Sequence, residues 1–411
     1  MPKRVAVVGA GVEGLSTAWH LQSHGVEVTV LDRSGVGAGA SRGNAGWLTP
    51  SLVAPLPEPS LIGFGLLSAV RRSSPLHITL RPSLRLWRFL LGFLAHCTPR
   101  RWRRGMAAFV APNALAVAAF EGLRAAGVRF ELHPADPFLA CFRSKTEAAP
   151  LLLELDQLAR SGQTVDFDEP EPTRELLGPA LSDAVGHVVR LHGQSFIDPA
   201  ALVDALAASV RDRGGSIREH APVTAVRGAS DGVLVVSAGR AERFDAAVIA
   251  TGAWLGGLAR PHGVRTLVQA GRGYSFSVRP EHMPRGPVYL PAQRVACTPL
   301  GADRLQIAGM MEFRSPDAPL DPARIRAIVD ASRPFFEGVD WDARTHEWVG
   351  PRPCTPDGLP LIGATRTPGV FVNGGYGMWG VTLGPLLGRL LAEQLVTGAT
   401  PDILRPFDPV R

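Results

Sequence analysis

The sequence predicts an α/β fold in which a Rossmann-like dinucleotide-binding domain, made of separated stretches of chain, is joined to a second domain of antiparallel sheet. Three observations predict it. An apolar run, Val5-Ala6-Val7-Val8, breaks at Gly9-Ala10-Gly11-Val12-Glu13-Gly14 and continues with helical patterning. A similar buried strand returns at 244–250 and ends in the small-residue turn Thr251-Gly252. The stretches 264–278 and 287–309 alternate as the hairpins of a sheet do.

Each glycine of the opening turn has a physical reason. Gly9 permits the tight turn, Gly11 lets backbone approach a pyrophosphate, and Gly14 lets helix and strand pack closely, while the helix N-terminus offers free N–H groups to the anion. The second strand, 26–31, ends at Asp32 with Arg33 after it, and the carboxylate is placed to accept from ribose hydroxyls. The glycine-rich stretch 35–47 reads as a loop that approaches a ligand, since a linker would not carry Arg42, Asn44 and Trp47 among its glycines.

Pro50, Pro55, Pro57 and Pro59 make the next stretch extended and irregular. Residues 61–70 are apolar, and 83–95 form an apolar helix carrying Arg85 and Arg88; neither run is long enough to span a bilayer. Arg100, Arg101, Arg103 and Arg104 follow around Trp102. This basic, aromatic insertion at 83–108 has two readings. It is a helix pair with a solvated face, or a patch resting on an anionic membrane with Trp87, Phe89, Phe93 and Trp102 as apolar contacts.

A helix is expected at 109–126, strands at 128–132 and 137–142, and an amphipathic helix at 146–161. The acidic loop 166–171 reads as solvated. Asp198-Pro199 opens a helix to about residue 213, with the acid as N-cap and proline in the first turn, and short strands follow at 216–229 and 232–237. After the hairpins come a helix at 322–335, a strand at 370–373, and the loop 374–380 leading into a helix that runs to residue 395. The dinucleotide-binding domain is assigned to 1–75, 185–260 and 340–411, and the second domain to 76–184 and 261–339.

A chain of 411 residues, 45% hydrophobic and 19% charged, is long enough for two well-buried cores. Cys97, Cys141, Cys297 and Cys354 are scattered without metal-ligand spacing, which suggests reduced thiols, a cytoplasmic setting and no metal site. No stretch near the start reads as a signal peptide. The net charge of +6 is carried almost wholly by arginine, because Lys3 and Lys145 are the only lysines. That leaves little room for lysine-based catalysis.

Taken together, Val7 to Gly14, Ala40 to Gly46, Pro99 to Gly105, Ala250 to Trp254, Gly273-Tyr274-Ser275, Arg352 to Gly358 and the terminal glycine loop make the chain resemble the D-amino acid oxidase superfamily of flavoproteins. The similarity is greatest to its bacterial D-amino acid dehydrogenase small-subunit branch. The resemblance implies FAD rather than NAD. Asp32 and Arg33 would hold the adenosine ribose, Ser41 and Arg42 the phosphate or ribityl region, and Asn44, Ala45 and Gly46 the isoalloxazine. Val223 would lie in the adenine-contacting strand, Thr251 and Gly252 at the cofactor's edge, and Gly375, Tyr376, Gly377 and Met378 at the flavin O2 side, where a helix dipole favours the negative charge of a reduced ring.

In the same way the resemblance makes Arg352 the grip on a substrate carboxylate, with Tyr274 or Tyr289 capping the pocket or bonding that carboxylate; sheet packing is an equal reading for Tyr289. The implied reaction, part of amino acid catabolism, is oxidative deamination of D-amino acids, or of cyclic imino acids such as D-proline or hydroxyproline. Hydride leaves the substrate Cα for flavin N5, giving an imine or 2-oxo acid. The alternatives are an oxygen-dependent glycine, sarcosine or D-amino acid oxidase, and a tRNA-modifying flavoprotein of the same fold. Relatives that attach FAD covalently carry a cysteine where this chain has Gly350, and oxidases that activate oxygen with a lysine carry one beside the ring. Non-covalent FAD, a quinone or respiratory-chain acceptor and no nucleic-acid partner are therefore expected, in a cytoplasmic protein with one candidate membrane contact, the 83–108 segment at the inner face.

Overall fold

A computed structural model describes residues 2–60, 76–78 and 83–411, so the apolar stretch expected at 61–70 lies outside the described residues. Strand Arg4–Val8 is buried from Val5 onward because it lies in the middle of a six-stranded sheet. Its neighbours are parallel: Glu27–Leu31 on one side, with Ser216–Arg218 beyond, and Ala246–Ile249 on the other, followed by Val370–Gly374. Leu361–Ala364 closes that edge antiparallel. A parallel sheet must be covered on both faces, which explains its unbroken apolar strands. Helices Val12–Ser23, Pro199–Asp212 and Gly380–Thr397 cover one face, through Val5, Val7, Val28, Val30 and Val248. A three-stranded meander, Val223–Ala229, Gly232–Ser237 and Arg240–Phe244, covers the other, through Ala6, Val8, Ala247 and Ile249.

The second sheet runs in the order Thr345–Cys354, Gln269–Val278, Leu305–Phe313, Val295–Pro299, Val288–Leu290, Phe138–Phe142, His187–Leu191, Phe167–Asp168, with Leu76–Ile78 paired onto Leu305–Phe313. It is mainly antiparallel. One face packs under helix Pro322–Ser332 through Phe276, Val278, Ile307 and Ile325. The other face looks toward the dinucleotide-binding half.

Three expectations need correction. Strands His187–Leu191 and Thr345–Cys354 belong to the second sheet, not to the dinucleotide-binding segments that were to begin at 185 and 340; they alternate between the two faces of that sheet, as its other strands do. Residues 128–132 form no strand, because the preceding helix ends at Ala125, Gly127 turns the chain with φ 98°, and it then runs irregularly to His133. The stretches 99–104 and 109–126 are one helix, Pro99–Ala125, whose Phe109, Ala116, Phe120 and Leu123 join the core of the dinucleotide-binding half. It is the one described helix long and apolar enough to cross a membrane by length and composition. Its apolar face is already occupied by that core, and Asn113 on it is buried and bonded to Gln163 at 2.9 Å.

Candidate active site

The opening glycine turn, the end of strand Ala246–Ile249 and the loop 41–46 converge. A Cβ on Gly9 would lie 2.3 Å from the Ala250 carbonyl oxygen, and one on Gly14 would lie 2.0 Å from that of Gly9. Both are demanded by close backbone crossings. Gly11 differs, since its Cβ position meets only side-chain oxygens, Ser41 Oγ at 3.2 Å and a Glu13 carboxyl oxygen at 3.3 Å. The Ser41 hydroxyl accepts from the Val12 N–H at the helix N-terminus, at 3.2 Å. Asp32 accepts from the N–H groups of Ala10, Ser34 and Gly35, at 2.9, 2.8 and 2.9 Å, so its carboxylate sits at the turn with about one lone-pair site left over. The Thr251 hydroxyl is buried there without a partner, and Gly252 beside it has φ 53°. Val223 opens the meander strand and packs on the cluster that contains Leu31, the residue before Asp32.

Two arginines expected at the cofactor are engaged elsewhere. Arg42 donates to the Val36 carbonyl and forms an ion pair with Asp204 on helix Pro199–Asp212, which fixes the loop rather than a phosphate. Arg33 lies 3.6 Å over the Trp254 ring and pairs with Asp317 at 3.2 Å.

The loop 43–46 is stitched to the second sheet. Ser275 Oγ donates to the Gly43 carbonyl at 2.9 Å, Gln306 Nε2 to the same oxygen at 3.4 Å, and Thr298 Oγ1 to the Ala45 carbonyl at 2.6 Å. Asn44 Oδ1 accepts from the Gly46 N–H at 2.9 Å, and a Cβ on Gly46 would lie 2.1 Å from the Ile197 carbonyl oxygen. The terminal loop comes in from the other side. Gly375 and Gly377 have φ 76° and 57°, but the Gly377 N–H is taken by the Pro353 carbonyl at 2.8 Å. The Tyr376 ring is buried, with its hydroxyl donating to Asn373 Oδ1 at 2.6 Å, so that tyrosine meets the groove through backbone alone. Met378 packs near Cys354.

Over this groove the sheet is lined with glycine. Arg352 stands opposite Gly271, and its guanidinium leans across Gly273, whose Cβ would lie 2.3 Å from Arg352 Cζ. Arg352 Nη1 donates to the Met310 carbonyl at 2.9 Å. No carboxylate among the described residues pairs with it, because Asp357 is held by Arg411 at 2.9 and 3.2 Å. The guanidinium is only partly accessible, and burial pulls its pKa below the ordinary value. A partly desolvated guanidinium with one carbonyl bond and no carboxylate beside it among the described residues suits an anionic ligand. Beside it Cys354 is an inert thiol, its pKa pushed up to about 12 by burial. Trp348 lies over Gly350 and Gly43, where a Cβ would meet its ring at 1.8 and 2.2 Å.

Tyr274 does not belong to this site. Arg272, Tyr274, Phe276 and Val278 alternate to the far face, where Tyr274 is buried and its hydroxyl donates to Glu312 Oε2 at 2.7 Å. Tyr289 is on the site face by register, four strands from Arg352, packed edge-on against Trp47 at 5.4 Å, with the Arg294 guanidinium close to its hydroxyl. The stitching residues Thr298 and Gln306 and the tryptophan Trp348 went unread in the sequence. Their signal is slight: a polar or bulky residue where a sheet strand should present an apolar one to its neighbour.

The groove suits the cofactor that the resemblance implies. It has a glycine approach at a helix N-terminus, an acid at the ribose position, an orphan buried hydroxyl and a glycine-lined floor. A model of the family described as FAD dependent oxidoreductase matches residues 4–394. D-amino acid dehydrogenase of Methylobacterium nodulans is 32% identical over 419 residues, covering 97% of this chain and 96% of that protein. Its counterpart in Methylobacterium radiotolerans is 31% identical over 416 residues, covering 97% of each. Among solved structures, glycine oxidase from Geobacillus kaustophilus superposes with a TM-score of 0.74 at 22% identity, covering 100% of this chain and 99% of the other. L-alpha-glycerophosphate oxidase from Mycoplasma pneumoniae, solved with FAD bound, gives 0.73 at 17% identity, covering 96% and 94%.

Proposed function

The chain belongs to the FAD-dependent oxidoreductase family, and on that premise we propose that it oxidatively deaminates D-amino acids or cyclic imino acids such as D-proline or hydroxyproline. The dehydrogenase relatives support the substrate class. Bound FAD supplies a two-electron acceptor for the hydride that leaves the substrate Cα. The observation that carries the reading is Arg352, a half-buried fork with no carboxylate partner among the described residues, leaning over a floor of Gly271, Gly273 and Gly350. It grips the substrate carboxylate through two parallel bonds and so fixes where Cα points. Once the amine is neutral the substrate needs no side-chain base, and the protein contributes orientation. Tyr289 and Trp47 form a wall of the pocket, and Asp32, Ser41, Thr251 and the backbone of 44–46 and 375–378 hold the cofactor.

FAD is held non-covalently, since position 350 is glycine and the Cys354 thiol is kept protonated. The acceptor is a quinone or respiratory-chain carrier. In support, Lys3 lies before the first strand and Lys145 at the start of a surface helix, 3.9 Å from Glu169, so neither reaches the groove. Anaerobic mixing of the holoenzyme with a panel of D-amino, imino and N-methyl acids tests the reading. D-amino or imino acids bleach the flavin band, and the reduced protein passes its electrons to quinones faster than to oxygen. No bleaching by any member of the panel overturns the proposal, and rapid peroxide formation favours the oxidase alternative.

The protein works in the cytoplasm, in keeping with its four free thiols, and rests on the inner face of the membrane through helix Leu84–His96. The expected contacts change: Phe89, Phe93 and Trp102 are buried in the protein, whereas Leu84, Trp87, Leu91 and Leu94 are 77%, 44%, 67% and 36% exposed along one stripe. Residues 83–104 contain six arginines and no acid, which matches an anionic lipid surface.

A further inference from the structure

Glu13 lies beside Gly11, at the pyrophosphate end of the groove. It is the second residue of helix Val12–Ser23, and its side chain points toward the start of helix Gly380–Thr397. One carboxyl oxygen lies 3.3 Å from the Cβ position of Gly11 and the other 2.2 Å from that of Gly380. The carboxyl therefore stands between two helix N-termini, on the open side of the glycine that a diphosphate approaches.

Among the described residues no charged group is found bonded to its carboxyl. Thr17 on its own helix and Asn373 at the end of strand Val370–Gly374 both donate to the Glu13 backbone carbonyl, at 2.7 and 3.3 Å. Tyr376 of the terminal loop is a neutral phenol, its pKa pushed well up by burial. Ser41 of the cofactor loop is a hydroxyl, and on the last helix Gly380 and Gly384 lie against Glu13. Arg42, which follows Ser41 in the cofactor loop, is paired with Asp204. Burial raises the pKa of Glu13 above the ordinary carboxyl value. The two helix N-termini favour an anion, and the carboxylate is a resident one. A diphosphate entering the same space brings further negative charge, and two anions share a site only with a proton or cation between them.

We propose that Glu13 is a cofactor-contacting residue that binds FAD as the neutral acid, its carboxyl proton donated to the diphosphate, so that FAD binding takes up one proton. This rests on the FAD assignment and not on the substrate. The sign follows from linkage. Where Glu13 is already protonated in the free protein, affinity does not depend on pH; as pH rises past that range a proton must be supplied on binding, and the dissociation constant rises by up to ~10-fold per pH unit.

Dilution of the holoenzyme, followed by recovery of flavin fluorescence, gives the dissociation constant from about pH 6 to about pH 9. Wild type is expected to release FAD more readily with rising pH, while Glu13→Gln, which keeps a donor and lacks the proton, holds its low-pH affinity throughout. Glu13→Val is expected to be equally flat but weaker at every pH, by about 10-fold, for loss of a bond to a charged group. A flat wild-type profile, or the same slope in wild type and Glu13→Gln, overturns the proposal; Glu13→Val binding as tightly as Glu13→Gln overturns the hydrogen bond. The measurement uses no substrate, so failure of the deamination reading leaves it standing.

Discussion

At the scale of the residue, Arg352 works because its neighbours are small. Gly273 leaves the guanidinium room to lie flat across the sheet, and the Met310 carbonyl aims it. Arg352→Lys keeps the charge and loses the fork, so kcat/KM for D-amino acid should fall about 100-fold in anaerobic flavin reduction, and Arg352→Leu should lower it about 1000-fold, in line with truncating one partner of a buried charge pair. Tyr274→Phe tests the opposite assignment. It removes a buried bond to Glu312 on the far face, and should cost about 1–3 kcal/mol in denaturant unfolding while leaving KM unchanged. Arg352 was legible because its chemistry and its motif point the same way. Tyr274 was not, although parity held the answer: it shares its face with Phe276 and Val278, whereas Gly271, Gly273 and Ser275 share the other. Arg42 could not have been read locally, because its partner Asp204 is 162 residues away.

At the scale of the element, helix Leu84–His96 is apolar on two sides, and pattern alone does not say which side the protein covers. The structure assigns Leu86, Phe89, Leu90 and Phe93 to a cluster with Phe313 and Cys354, next to the strand that carries Arg352. The exposed stripe therefore lies directly outside the site. Replacing Leu84, Trp87 and Leu91 by serine should abolish cosedimentation with vesicles containing an anionic lipid, leave flavin reduction by substrate unchanged and slow electron delivery to membrane quinone. Wild-type binding should weaken with salt, since the arginines act through screened charge. Helices and the parallel strands were legible here because their apolar periods are long and regular. The domain boundaries were not, since strands 187–191 and 345–354 show their sheet only through partners distant in the chain.

At the scale of the whole molecule, stability should fall earlier on the acid side than carboxylates alone would dictate. His20 is held neutral, with its pKa lowered to about 3 by burial and by Arg389, His24 and Arg213. The unfolded chain takes up that proton near pH 6.5 and the native protein does not, so stability declines as pH falls from about 6.5 toward 3, with a slope up to ~1.4 kcal/mol per pH unit. His20→Gln should flatten this limb in denaturant titrations. Asp168, Glu242 and Asp245, whose pKa values are lowered by Arg190, Arg218 and the Arg4 and Lys3 N–H groups, add their loss only below about pH 4. The side-chain bonds from Ser275, Gln306 and Thr298 to the carbonyls of 43–46 join the sheet of one half to the cofactor loop of the other. A chain of two cores joined in this way has no free jaw: heated in a calorimeter, the holoenzyme should absorb heat in one peak, and Ser275→Ala with Thr298→Val should split it into two.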